Sequence, residues 1–162
     1  GGVMKFQTSD PRIKDSFEIA KDKKIDFEFK KKDLGKKYHP NSVKIVLENR
    51  KYKMSVSGSS IGGGMIEIVK IDNFDVDLKG TAGKYLSLVV CHDQNPEVLK
   101  ELTKKLNKLD IKVVDKKQTN YGKQTLSVLS LDGRRIRLPE VVELEKTIKG
   151  IEFIRSLSKL QK

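Results

Sequence analysis

Apolar residues recur along this chain in two rhythms, and the places where the rhythm changes mark out its elements. In DPRIKDSFEIAKD (10–22), Ile13, Phe17 and Ala20 fall at i, i+4 and i+7, which lines one face of a helix. Asp10 suits the N-cap and Pro11 the first helical position. Alternation then takes over. IDFEF (25–29) predicts a strand, and KKKDLGKKYHPN behind it a polar connector. SVKIVLEN (42–49) and KYKMSVSG (51–58) predict a hairpin turning near residues 49–51. MIEIVKI (65–71) predicts another strand, and a turn at Asp72 and Asn73 leads into one more. The small residues GTAG (80–83) predict a linker between two patterned halves.

The second half has the cleaner pattern. KYLSLVVCH (84–92) is apolar on both faces, as a central strand would be. PEVLKELTKKLNKL (96–109) carries Val98, Leu99, Leu102, Leu106 and Leu109 as a helical stripe, opened by Pro96. IKVVDKKQTN (111–120) and QTLSVLSLDG (124–133) predict two strands joined at 121–123. PEVVELEKTIKG (139–150) predicts a helix stopped by Gly150, and IEFIRSL (151–157) a last strand. The order β-α-β-β-α-β is that of a ferredoxin-like domain. The expected fold class is α+β, with a small mixed αβ segment over 1–80 followed by a ferredoxin-like (βαββαβ) domain over 84–162.

Composition narrows the chemistry. A length of 162 residues suits one medium domain or two small ones. No window approaches the roughly 18 apolar residues of a membrane span, and no signal peptide is visible. One cysteine, Cys91, excludes an internal disulfide framework and a zinc ribbon or iron–sulfur cluster held by this chain alone. It fits a reducing, cytoplasmic setting. The net charge of +12 raises nucleic-acid binding. The lysines are nevertheless spread along the chain, arginine occurs at only six positions, and no aromatic residues interleave the basic runs. Solvated lysine faces explain that distribution better than a nucleic-acid footprint.

GSSIGGGMIEI (58–68) strips its backbone bare at Gly62, Gly63 and Gly64 before a strand begins. Such glycines take positive φ at low steric cost. With the Ser59 and Ser60 hydroxyls and nearby Asn41 they make a candidate anion or substrate contact, an N–H nest. Close backbone packing against another domain or subunit explains them equally. A phosphate-binding P-loop is excluded, because the Lys-Ser/Thr and the strand–helix context are missing. His39, held extended before Pro40, is a weak catalytic candidate and also reads as an ordinary surface histidine. In CHDQNPEVL (91–99), His92, Asp93, Gln94 and Asn95 precede a helix start. Their side chains suit an amino-acid ammonium or hydroxyl, and the free N–H groups of the first turn suit its carboxylate. A loop that simply caps its helix fits the same residues.

A βαββαβ unit with a polar first loop resembles the ACT domain. That resemblance implies a small-molecule sensor, typically for amino acids, that pairs with a second copy. One departure is Glu97, where the family places glycine after the proline. HPNSV (39–43), SSIGGGMIEI (59–68), TSDPRIKDSFEIAK (8–21) and the ACT-like unit, in this order, resemble the β chain of bacterial iron–sulfur-dependent L-serine dehydratase. The resemblance covers nearly the whole chain and makes 1–80 an allosteric-substrate-binding-type domain. GGVMKF at the start resembles an internal stretch of that family, so this domain is expected to be N-terminally truncated, without the family's upstream histidine motifs. The resemblance implies a regulatory and structural chain that is inactive alone. It would dock on a catalytic α chain whose cysteines hold a 4Fe–4S cluster, self-associate through the ACT-like domain and sense L-serine. It implies no metal bound by this chain. Two other readings are kept: the amino-acid-sensing tail of a phosphoglycerate dehydrogenase, and a basic RNA-binding module.

Overall fold

Each element follows from local chemistry that the chain repeats several times: a cap, a stripe and a stop. Helix α2 (Pro96–Asn107) begins where the Asn95 side chain accepts a hydrogen bond from the Glu97 N–H at 3.0 Å, with Pro96 in the first turn. Its stripe buries Val98, Leu102 and Leu106. Full burial of each leucine contributes about 2 kcal/mol. The start of helix α3 (Leu138–Thr147) is capped by Glu140, whose carboxylate accepts from the Arg137 N–H at 2.8 Å and from the Arg134 guanidinium at 2.9 and 3.0 Å. These bonds, Arg134 foremost, hold the Glu140 carboxyl at a pKa of about 2.

The protein is described from a computed structural model, covering residues 2–7, 9–50, 52–78 and 86–157. It divides between Leu34 and Gly35 into two compact units. In the first unit, the helix expected over 10–22 is broken. A 3-10 turn over Pro11–Ile13 is capped by Asp10, and α1 runs only over Ser16–Asp22. The Asp10 carboxylate bonds both the Arg12 N–H and its guanidinium, which lowers its pKa to about 2 and ties down the turn. IDFEF forms no strand. Its Phe27 stacks on Phe17 with ring centroids 5.1 Å apart, and Phe29 meets Phe27 edge-on at 6.0 Å. The alternation aligned these rings without giving the backbone a partner strand.

Among the described residues the second unit holds eight strands. β1 (Ser42–Glu48), β2 (Lys53–Gly62), β3 (Met65–Ile71) and β4 (Phe74–Leu78) form an antiparallel meander in chain order. β5 (Leu86–Asp93), β6 (Ile111–Tyr121), β7 (Gln124–Gly133) and β8 (Ile151–Leu157) form a second sheet ordered β6-β7-β5-β8, antiparallel throughout. With α2 and α3 this is the expected ferredoxin-like α+β arrangement. The segment 80–83, read as a linker, lies outside the described residues.

Strand β5 shows why its sequence is apolar on both faces. Leu88 and Val90 pack with Leu102, Leu106 and Leu144 under the helices. Val89 and Cys91 pack on the opposite face with Ile71, Phe74 and Leu78 of the meander. The meander is thus seated on the ferredoxin-like sheet through β3 and β4. Thr119 Oγ1 donates to the Asp75 carbonyl at 2.8 Å across the same junction. β1 extends past this cover, leaving Val43, Ile45 and Leu47 exposed. Pairing of Ile45 with Val56, and of Val56 with Ile71, puts these three on the face that elsewhere carries the core.

Candidate functional site

The meander brings HPNSV and SSIGGG to one end of the fold. Ser42 opens β1 directly opposite Ser59 of β2. The Ser42 hydroxyl donates to the His39 carbonyl at 2.5 Å, so the 2.8 Å contact between the two hydroxyls is donated by Ser59. The Asn41 N–H donates to His39 Nδ1 at 3.1 Å, which assigns the proton of the neutral ring to Nε2. The Ser60 N–H donates to the Asn41 carbonyl at 2.9 Å. His39, Asn41, Ser59 and Ser60 are therefore one hydrogen-bonded cluster, in which His39, Asn41 and Ser60 are exposed and Ser59 is buried.

The glycines finish the same end. Gly62, Gly63 and Gly64 all have positive φ (90°, 61° and 74°), and Gly63–Gly64 is the two-residue loop between β2 and β3. Positive φ at both loop positions is what a type I′ hairpin turn demands. A Cβ on any of the three would meet nothing within 4 Å, so within this chain conformation, not close approach, requires glycine. Close approach is instead the property of Gly58, which sequence reasoning passed over. A Cβ there would lie 2.9 Å from the Glu67 carbonyl oxygen, next to the irregularity in β2–β3 pairing between Ser57 and Gly58. A glycine inside an alternating strand is the signal that could have found it.

The second candidate set sits where β5 runs into α2. His92 is buried on the helix-facing side of the sheet. Its Nδ1 donates to the Asp93 carbonyl, so Nε2 accepts the 2.8 Å bond from the Ser127 hydroxyl. Ser127, fully buried on β7, accepts in turn from Gln118 Nε2 at 3.1 Å. Burial pushes the His92 pKa below its ordinary value, so the ring is neutral near pH 7. Asp93 Oδ1 accepts from the Asn95 N–H at 3.0 Å, Asn95 caps α2, and Gln94 Nε2 donates to the Gly122 carbonyl at 3.1 Å. All four predicted residues are thus drawn into one loop with internal partners. His92, Gln94 and Asn95 also line an open groove of about 1160 Å³ between α2 and β6. Glu97 is not among its lining residues, and its carboxylate pairs with Lys100 at 2.6 Å.

Ser127 and Gln118 were missed by sequence reasoning. The signal was present in TLSVLSL, where a serine interrupts an otherwise apolar buried strand and must find a partner. Gly150 was read only as a helix stop, but α3 ends three residues earlier, at Thr147. The Gly150 φ is +91°, and a Cβ would lie 2.6 Å from Asp93 Oδ2 and 2.9 Å from Val98 Cγ2, so this glycine makes room for the loop.

Cluster or metal ligation finds little support in these side chains. Among the described residues no group of three or more His, Cys, Asp and Glu could hold a metal. Burial first, then Glu152, raises the Cys91 thiol to about 12, so the thiolate that an iron–sulfur cluster needs is disfavoured. The residues present do not fit a cluster. No helix among the described residues is long and apolar enough to cross a membrane.

No protein-family model matches the chain. Two curated sequences do. Over 156 residues the chain is 30% identical to the probable L-serine dehydratase beta chain of Bacillus subtilis (strain 168), a match covering 90% of this chain and 69% of that one. Over 153 residues it is 31% identical to the L-serine dehydratase beta chain of Peptoniphilus asaccharolyticus, covering 94% of this chain and 66% of that one. The chain therefore spans about two thirds of the length of each relative.

Proposed function

The chain belongs to the L-serine dehydratase beta-chain family, and from that premise we propose that it is the regulatory and structural chain of such an enzyme. The reaction would take L-serine to pyruvate and ammonia. It would run on a partner α chain carrying a 4Fe–4S cluster, whose Lewis acidity would assist loss of the serine hydroxyl. A chain whose one thiol is buried and held protonated suits a division of labour in which the partner supplies the cluster. It would work in the cytoplasm, where a lone thiol stays reduced.

Within this reading, residues 1–80 form the allosteric-substrate-binding-type region and 84–162 the ACT-like region. The exposed His39, Asn41 and Ser60 cluster, together with the Gly62–Gly64 turn, faces the substrate side of the assembly. The loop His92–Asn95 senses L-serine, and the ACT-like unit pairs with its copy. The observation that carries the proposal is the family match across at least 90% of this chain. The overhanging β1 face supports docking, since Val43, Ile45 and Leu47 leave aliphatic surface for a partner to cover.

Co-elution with the cluster-bearing chain on size exclusion tests this. A stable complex is expected, lost in the Val43→Lys/Leu47→Lys variant. Separate elution of the unmodified chains would overturn the docking proposal.

A further inference from the structure

The groove between α2 and β6 has a property that L-serine sensing does not use. Among the described residues four lysines line it: Lys100 and Lys104 on α2, Lys108 at its C-cap and Lys116 on β6. No carboxylate residue lines it, although the chain carries 22 acidic residues. Of the two glutamates of α2, one neutralises a groove lysine and the other is turned away. Glu97 pairs with Lys100 and Glu101 with Lys105. Lys104, Lys108 and Lys116 make no ion pair among the described residues, and all three are exposed. Lys104 and Lys108 stand one helical turn apart, about 6 Å along the axis. The floor between the helix and the strand is apolar at Leu99, Val113 and Leu129.

We propose that this groove docks an acidic segment of another polypeptide, with carboxylates on Lys104, Lys108 and Lys116 and aliphatic side chains on the floor. The charge is complementary, unbalanced within the chain, and spread over more than one turn of helix. A single small anion would leave most of the roughly 1160 Å³ empty. A nucleic acid would lack its usual supports, because among the described residues no phenylalanine, tyrosine, tryptophan or arginine lines the groove. The proposal concerns a different ligand from L-serine and does not depend on the dehydratase reading.

The test is fluorescence anisotropy of a labelled peptide alternating glutamate and leucine, titrated with the full 162-residue chain. Salt is held at about 50 mM and then about 150 mM. Competitors are inorganic phosphate and a single-stranded oligothymidylate. Lys104→Gln/Lys108→Gln/Lys116→Gln is compared with Lys21→Gln/Lys23→Gln/Lys24→Gln, which removes the same charge elsewhere. The groove variant is expected to bind roughly tenfold more weakly, the sum of three exposed ion pairs, with the control variant unchanged. Equal weakening in both variants would reduce the effect to net charge and overturn the proposal. So would absence of peptide binding, or displacement of the peptide by phosphate or oligothymidylate at lower concentrations than by unlabelled peptide.

Discussion

Ser127→Ala probes the buried relay that fixes the candidate effector loop. In the native chain the Ser127 hydroxyl donates to His92 Nε2 at 2.8 Å and accepts from Gln118 at 3.1 Å. Alanine removes both bonds, but the consequences differ at the two ends. Gln118 is exposed and regains water, whereas His92 is 3% exposed and its Nε2 is left buried without a donor. Loss of the bond costs about 1 kcal/mol, and the stranded acceptor adds about 1–2 kcal/mol. The sum of about 2–3 kcal/mol corresponds to a drop in Tm of about 5–10 °C for a chain of this length. Thermal and urea unfolding followed by circular dichroism read it directly. The double variant His92→Leu/Ser127→Ala places apolar groups at both ends. It is expected to be more stable than the two single effects added, by about 1 kcal/mol or more. A Ser127→Ala cost under about 0.5 kcal/mol, with strict additivity in the cycle, would refute the relay.

Three further outcomes follow from the same geometry. The depressed His92 pKa makes the unfolded chain take up a proton before the native one. Stability from this site is therefore full above the unfolded-histidine value and falls as pH drops below about 6.5; urea midpoints across that window should slope, and His92→Gln should flatten the slope. Gly150→Ala should cost about 2–4 kcal/mol, combining positive φ with the clash against Asp93 and Val98. Gly63→Ala, with open space around it, should cost only about 1–2 kcal/mol, and equal costs at the two sites would discredit the steric argument. Glu97 lies off the groove, so Glu97→Gly should leave L-serine affinity unchanged in calorimetric titration against D-serine, reaching millimolar ligand, where binding is worth about 4 kcal/mol; a raised affinity would put Glu97 back at the site.

The ferredoxin-like unit was legible because each of its helices carries a stripe with its own signals at the ends. Asn95 with Pro96 lies where local chemistry alone fixes it, whereas α3 stops at Thr147, three residues before the Gly150 expected to end it. β5 declared its central place through apolar residues of both parities, since each face meets a different core. The first 34 residues were harder. IDFEF has the alternation of a strand, but alternation assigns faces and says nothing of a hydrogen-bonding partner, and its phenylalanines settled on Phe17 instead. β2 runs through Gly62, beyond the Gly58 expected, because Ser59 and Ser60 pair with β3 around irregularities that a local pattern does not encode. The candidate site divides in the same way. His39, Asn41, Ser59 and Ser60 were visible as motifs, whereas Ser127 and Gln118 join His92 only through pairing of distant strands.

The central claim is that this chain serves a dehydratase whose chemistry sits on another chain. Pyruvate release from L-serine, measured anaerobically for this chain, for the cluster-bearing α chain and for the two together, tests it most directly. The account predicts no pyruvate from this chain alone and faster release from the pair than from the α chain by itself. Turnover by this chain alone, or an α-chain rate indifferent to its addition, would contradict it.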